Sequence, residues 1–322
     1  MESVRDESLG SPFERVFVAG LSLITAVILV FLAVQGPLVR GAITYKTAEV
    51  INNQLVGQDI VNLVLLVPLL LGGAVGLLSR KTWARSLLIA TPLFLIYYAL
   101  SYTIGWEWSS PVYSGNSERH TFLFLFVLVA ALVILLYTLA VFPKNATARF
   151  KKGGLAVYSV VFTLLLLVFG GMWVKEVLEV IATGTTRGYD IAPAAFWLVR
   201  VFDLGFSMPL GLISVYLLWA RPDKAYPVIC LFYGFFFTQI VAVNAMGWAM
   251  FLKKDPLFLW RDLVVFTVLA LIVAFGFFYV RRNYVTAELA ISEKDERRLL
   301  RILAKDDFVP LEQVKKSLEK KT

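Results

Sequence analysis

The chain has 322 residues, of which 59% are hydrophobic and only 17% are charged. Soluble globular domains have about 45–50% apolar and about 25% charged residues, so the composition excludes an ordinary soluble domain, a disordered chain and a collagen-like fibre. The mean hydropathy of +0.74 indicates a lipid environment. One cysteine and one histidine exclude an internal disulfide framework, a cysteine metal cluster and a bis-histidine haem site within the chain.

Eight runs of about 20 mostly apolar residues predict eight membrane-crossing helices, which we number as spans one to eight. They cover residues 16–36, 59–78, 86–105, 121–142, 155–174, 196–219, 226–252 and 263–280. The first run is longer than the 7–15 apolar residues of a signal peptide, and its N-terminal flank is acidic as well as basic. We therefore interpret it as a span.

Basic residues concentrate in alternate loops and in the C-terminal tail. They are Arg80, Lys81 and Arg85, then Lys144, Arg149, Lys151 and Lys152, then Arg221 and Lys224, then Arg281 and Arg282. Because such residues collect on the cytoplasmic side, the pattern predicts a multi-pass protein of the cell membrane with both termini in the cytoplasm. We read the net charge of +8 as this topology signal, with the lipid bilayer as the partner and no nucleic acid.

The predicted fold is all-α, a polytopic bundle of about eight transmembrane helices with a short helical tail. Residues 1–15 form a cytoplasmic segment, 16–282 the transmembrane domain, and 283–322 a cytoplasmic tail of two short helices that offers a contact for a protein partner. Residues 47–55, in the first outer loop, have the spacing of an amphipathic helix lying on the outer surface. Span five is predicted to continue outward as a helix and to break at residues 183–188.

Asp203 is the first candidate for a binding site, because an ionisable side chain in hydrocarbon costs at least about 2.5–3.5 kcal/mol. It lies about eight residues into span six, too deep to cap the helix. One interpretation is a self-neutralising ion pair with Arg200, three residues earlier on the same face. The other is a carboxylate that binds a cation or proton from outside, with a kink at Pro209 just below it.

Gln58, Asp59 and Asn62 open span two and share one helix face by their spacing. Asp59 has a simple alternative role, since a carboxylate stabilises a helix N-terminus. That role leaves Asn62, one turn deeper, unexplained. Gly57 would permit a tight turn into the helix.

Tyr98 and Tyr102 lie four residues apart in the outer half of span three, and Asn244 lies in the outer half of span seven. Each has an ordinary alternative, because tyrosines populate the membrane interface and buried amides join neighbouring helices. Together, however, nearly all of these polar residues fall in the outer half of the membrane. The sequence therefore predicts a polar cavity open to the outside, walled by spans two, three, six and seven.

The stretch Gly57-Gln58-Asp59, followed by apolar residues with Pro68, resembles the start of a helix in a family of uncharacterised bacterial and archaeal polytopic membrane proteins. The run Tyr97-Tyr98…Tyr102 before Gly105 and the run Phe202-Asp203-Leu204…Pro209 are similar to the same family. The resemblance covers roughly residues 47–250 and leaves out the tail. It implies a polytopic membrane protein and gives weight to Asp59, Tyr98 and Asp203, but it implies no activity.

The chain lacks a P-loop, an HExxH motif and a GxSxG motif, which are the patterns of ATP-driven motors, zinc proteases and serine hydrolases. We assign no catalytic residue and expect no cofactor and no metal site. The favoured hypothesis is binding or transport of a small molecule or ion at Asp203, with the other candidates around it. The alternatives are an accessory subunit of a membrane complex and an enzyme that acts on lipid with Asp59 and Asp203 as its paired carboxylates.

Overall fold

The computed structural model describes residues 9–143 and 146–286. Within these residues eight helices are long and apolar enough to cross a membrane, which confirms the predicted number and is consistent with a multi-pass membrane protein. We label them α1 to α8 in chain order. Their bounds are Pro12–Gln35, Glu49–Leu78, Ala84–Ile104, Ser117–Val141, Lys152–Thr183, Pro193–Ala220, Pro222–Leu252 and Trp260–Asn283. We call the end that holds the start of α2 the outer end, following the predicted orientation.

Helix α2 begins ten residues before the predicted start of span two. The prediction of a separate surface helix at residues 47–55 is wrong. The helical segment Glu49–Val61 continues into the spanning helix and packs against α7. Its polar residues bond there: Asn53 Nδ2 donates to Asp255 Oδ2 over 2.8 Å. Hydropathy alone missed this extension because its amides lower the average.

The helix ends follow simple backbone rules where glycine and proline occur. Helix α5 ends at Thr183, and Gly184 takes a left-handed conformation with φ of 75°, which confirms the predicted break. Helices α6 and α7 each carry a proline in their first turn, Pro193 and Pro222, where a missing N–H costs no helical hydrogen bond.

The bundle contains two apolar cores that divide near the middle of the chain. The first is built mainly from α1 to α4, and the second from α5 to α8. Helix α7 joins them, since Phe235 belongs to the first core and Phe232 to the second. A β-carbon on Gly57 of α2 would overlap the α7 backbone at Ala245, so these two helices cross at backbone contact.

Helices α2 and α6 share an unusual local feature in their middle. Each contains a five-residue π-helical segment, Asn62–Leu66 in α2 and Asp203–Ser207 in α6. In each, a proline follows six residues after the first π residue: Pro68 after Asn62 and Pro209 after Asp203. Proline has no N–H and breaks the α-helical bonding pattern, and π segments occur frequently at functional sites. The kink expected at Pro209 stays a prediction; the structure has a π segment just before this proline.

One short antiparallel strand pair lies at the inner end. Strands β1, Ala146–Ala148, and β2, Tyr284–Thr286, pair with Ala148 opposite Tyr284. The hydroxyl of Tyr284 donates to the Pro222 carbonyl over 2.7 Å. The start of the predicted helical tail is thus a strand fixed to an inner loop, and the two predicted tail helices lie outside the described residues.

Candidate functional site

Buried polar side chains gather where α2, α3 and the first outer loop meet. Asp59 and Asn62 lie on one face of α2, and Tyr98 and Tyr102 lie on one face of α3. Tyr45 reaches the same place from the loop before α2. We call this group, together with Gln58, the Asp59 cluster. Its members are at most 5% exposed, and Asn62 is fully buried.

Most polar atoms of the Asp59 cluster lack a hydrogen-bond partner among the described residues. The six unpaired atoms are both Asp59 carboxylate oxygens, Asn62 Nδ2 and the hydroxyls of Tyr45, Tyr98 and Tyr102. Leaving one buried polar group unpaired costs about 1–3 kcal/mol, and more when the group is charged. Native proteins rarely tolerate such a concentration, so the six atoms point to a missing bonding partner.

The six unpaired atoms lie near one another, and none of them makes a hydrogen bond of ordinary geometry to another. The Tyr98 hydroxyl lies beside the Asn62 amide and within electrostatic range of Tyr45 and Asp59. Tyr45 is outside the spans; burial raises the pKa of its phenol well above the ordinary value, and the nearby Asp59 carboxylate raises that pKa further. One internal bond exists in the cluster, from Gln58 Nε2 to Asn62 Oδ1 over 2.9 Å.

Backbone and aromatic rings close the cluster on its other sides. A β-carbon on Gly36 would lie 2.8 Å from Asp59 Oδ2, so glycine is required for the carboxylate to sit against the end of α1. The rings of Tyr98 and Tyr102 lie 4.3 Å apart between centroids, and those of Tyr45 and Trp106 lie 4.7 Å apart. Trp106 also donates from Nε1 to the Tyr102 carbonyl over 2.8 Å. The polar atoms are therefore enclosed by an aromatic wall.

Two outer loops lie over the cluster and are bonded to each other. Loop one covers residues 36–48 and loop three covers residues 105–116. The Asn116 side chain accepts from the Thr44 amide and donates to the Ala42 carbonyl, both over 2.9 Å. The Glu107 amide donates to the Lys46 carbonyl over 2.9 Å. Tyr45 is thus held in place by the loop contacts on either side of it.

We expect Asn116→Ala to loosen this cover. The variant loses both side-chain bonds to loop one, which together stabilise the fold by about 1–2 kcal/mol. Hydrogen exchange of the amides of residues 42–47 should become faster. Asn52→Ala is the matched control, because Asn52 makes no side-chain hydrogen bond to another described residue. Equal exchange in both variants would contradict the role assigned to Asn116.

Asp203 lies in a second group, between α5 and α6, and it is bonded. Trp173 Nε1 donates to Asp203 Oδ2 over 2.9 Å, and Ser207 Oγ donates to Oδ1 over 3.2 Å. Arg200 does not form the predicted pair with Asp203; it forms an ion pair with Glu176 of α5. Its guanidinium carbon lies 4.2 Å from the Trp173 ring and 4.0 Å from the Phe196 ring. We call these residues the Asp203 group.

The two carboxylates belong to opposite sides of α3. Tyr98 faces Asp59, whereas its neighbour Tyr97 packs on Phe202 at 5.1 Å between ring centroids and lies near Asp203. No hydrogen bond or ion pair within the described chain joins Asp59 to Asp203. The geometry therefore gives no support to a paired-carboxylate site.

The remaining predicted residues occupy other places. Asn244 joins α7 to α8: its Nδ2 donates to the Phe266 carbonyl over 3.0 Å and its Oδ1 accepts from Thr267 over 2.8 Å. This is the helix-joining role of a buried amide. Gly57 lies inside α2, so the Gly-Gln-Asp stretch is not a helix start, and its glycine permits a helix crossing and not a turn.

Sequence reasoning missed Tyr45, Trp173 and Glu176. A tyrosine in an outer loop and a tryptophan in an apolar span carry no signal of a polar contact. Glu176 could have been found, because a buried Arg200 needs an anionic partner and α5 offers Glu176 at the outer end.

Among the depressions on the surface of the described residues, two open ones contain no predicted site residue. One, of about 260 Å³, lies on the outer face of loops one and three and is lined by Lys46, Trp108, Tyr113, Ser114, Gly115 and Glu118. The other, of about 380 Å³, lies at the inner end beside Arg85. The outer depression includes Lys46, the chain neighbour of Tyr45, but no residue of the Asp59 cluster.

The oxygen atoms of the Asp59 cluster suit a ligand that binds through oxygen, such as a hard cation. Across the described residues, no group of three or more His, Cys, Asp or Glu side chains could hold a metal ion. One carboxylate among neutral phenols and amides instead suits a small cation or a polar molecule.

No family model matches this chain, and no curated protein and no solved structure is detectably similar to it. The resemblance to a family of polytopic membrane proteins therefore stays a prediction, and the geometry of the site is what indicates a function.

Proposed function

We propose that this protein is a multi-pass membrane protein that binds a small polar molecule or ion in the Asp59 cluster, approached from the outer side. The single observation behind this proposal is the set of six unpaired atoms, which are the two oxygens of one buried carboxylate and four atoms around it. Scattered polar residues that only join helices would bond each other, as Asn244 and Thr267 do. A ligand would supply the bonds that the described residues leave unmade.

The proposal moves the charged centre from Asp203 to Asp59. Asp203 already accepts hydrogen bonds from two side chains, whereas no side chain in the described chain donates to Asp59, which has only the Leu38 backbone amide close by. Binding at Asp203 stays an alternative within the same proposal, because Asp203 is 6% exposed and its carboxylate is also held in the outer half of a span. The proposal also includes transport, a cell-membrane location with both termini in the cytoplasm, and a protein partner at the tail.

An experimental structure of the protein in lipid nanodiscs tests the proposal. We expect non-protein density within hydrogen-bond distance of an Asp59 oxygen and of at least two of the three tyrosine hydroxyls. The same density should be absent from the structure of Asp59→Asn and present in that of Asp203→Asn. Direct bonds from the tyrosines to Asp59, with no density between them, would refute the proposal. Loss of the density in Asp203→Asn alone would return the site to Asp203.

A further inference from the structure

We propose that the ligand of the Asp59 cluster is a single monovalent metal cation of about the size of sodium. This inference rests on the proposed function and names the class of its ligand. It follows from four properties of the cluster: its charge, its oxygen atoms, the separation of those atoms and the contacts between its aromatic rings.

The charge of the ionised cluster is balanced by one positive charge. Asp59 is 1% exposed and has no ion pair within the described part of the chain; the neutral backbone amide of Leu38 lies close to its carboxylate, and no side chain donates to it. A buried carboxylate without a partner is strongly unfavourable, and removing its charge or pairing it relieves the cost. A divalent ion would leave one excess positive charge in the same apolar surroundings, whereas a monovalent cation neutralises the carboxylate.

The oxygen atoms of the cluster can surround such an ion. Asp59 contributes its carboxylate, and Tyr45, Tyr98 and Tyr102 contribute phenol oxygens, which are acceptors as well as donors. Rotating the amides of Gln58 and Asn62 together by a half turn keeps their mutual hydrogen bond with donor and acceptor exchanged. The rotation turns Asn62 Oδ1 toward the position of the unpaired Nδ2, which gives a hard cation a further ligand.

The separation of these atoms also favours an inserted ion. They lie near one another, and the Tyr98 hydroxyl approaches the Asn62 amide, yet none of them makes a hydrogen bond of ordinary geometry. Protonation of Asp59 would create one donor and pair at most one neighbour, so most of the unpaired atoms would remain unpaired. Water alone would pair the polar atoms but would leave the carboxylate charge uncompensated.

The aromatic rings exclude a larger organic cation. Tyr102 lies 4.3 Å from Tyr98, 5.2 Å from Tyr45 and 5.4 Å from Trp106 between ring centroids. These rings are in contact with each other, so no ring face is free to receive a quaternary ammonium group, as an aromatic cage would require. A monatomic ion needs no such face.

Equilibrium binding of radioactive sodium to the purified full chain tests the inference. The expected result is one saturable site per chain, with lithium competing and N-methylglucamine not competing at equal ionic strength. Tyr98→Phe should weaken sodium binding by about tenfold or more, since even the supporting partners of metal ligands contribute about 10–100-fold to affinity. Tyr97→Phe is the matched control, because the neighbouring phenol faces the Asp203 group, and it should bind sodium as the wild type does.

Asp59→Asn should abolish the saturable site, and Tyr98→Phe keeps the test decisive if that variant does not fold. Saturable binding that is equal in Tyr98→Phe and wild type would overturn the inference, as would displacement of sodium by calcium at much lower concentration, or no saturable binding at all. Non-protein density at Asp59 without sodium binding would reject the cation and keep the proposed function. Absence of both would reject the two together.

Discussion

Gly57→Ala is expected to destabilise the protein by about 3 kcal/mol, the upper end of the usual cost of overfilling a packed interior. The added methyl group would overlap the backbone of Ala245 and Met246 in α7. Backbone atoms cannot turn aside as the end of a flexible side chain can, so α2 and α7 must separate. The Asp59 cluster lies on the next residues of α2 and would be displaced with it. A chemical-denaturation series in detergent, followed by tryptophan fluorescence, measures the loss.

Gly171→Ala is the control for this substitution, because a β-carbon on Gly171 of α5 would have no neighbour within 4 Å among the described residues. In a helix interior, alanine is favoured over glycine by up to about 1 kcal/mol. We therefore expect the control to be neutral or slightly stabilising, opposite in sign to Gly57→Ala. Similar stability changes in the two variants would show that α2 and α7 do not cross at backbone contact.

Trp173→Phe is expected to destabilise the protein by about 2–3 kcal/mol. The variant removes the Nε1 donor and leaves Asp203 Oδ2 buried without its bond, and a lost hydrogen bond to a charged group costs about 1.5–3 kcal/mol. It also weakens the stacking of Arg200, since tryptophan binds a cation better than phenylalanine does. The same denaturation series measures the effect.

Trp219→Phe makes the same exchange at a solvent- or lipid-exposed site. Trp219 Nε1 donates to Ser159 Oγ over 2.8 Å, and the tryptophan side chain is largely exposed, so its loss should cost no more than about 0.5 kcal/mol. If the two tryptophan variants were equally stable, the bond to Asp203 would not matter for the fold, and Asp203 would regain its place as a candidate binding group.

The sequence was sufficient to predict the helices because a membrane helix requires a long apolar run, which composition reveals directly. It also predicted pairs within a helix. Asp59 with Asn62, and Tyr98 with Tyr102, have spacings that place them on one face, and the structure has both pairs in the same cluster. The contact between α2 and α3 could not be predicted, because the sequence of a helix does not indicate which other helix it packs against.

Contacts between distant segments account for the errors. Arg200 has Asp203 three residues away, but the structure pairs it with Glu176, 24 residues earlier in the chain. Local spacing predicts that Arg200 pairs with the nearest opposite charge, whereas the packing of α5 on α6 determines which carboxylate it contacts. Tyr45 entered the cluster through loop contacts to Asn116, more than 70 residues away, and no sequence period reports such a contact.

The π segments of α2 and α6 have a consequence for how these helices tolerate length changes. Each α-helical residue turns the chain by about 100°, and a π turn holds one residue more than an α turn. Deleting one residue from Asn62–Leu66 would therefore rotate the two ends of α2 relative to each other. Gly73, which lets α2 lie against Leu88 of α3, would then point elsewhere while Gly57 still met α7. The extra residue sets the rotation between the end of α2 that carries Gly57 and Asp59 and the end that carries Gly73, and a regular α-helix would change that rotation.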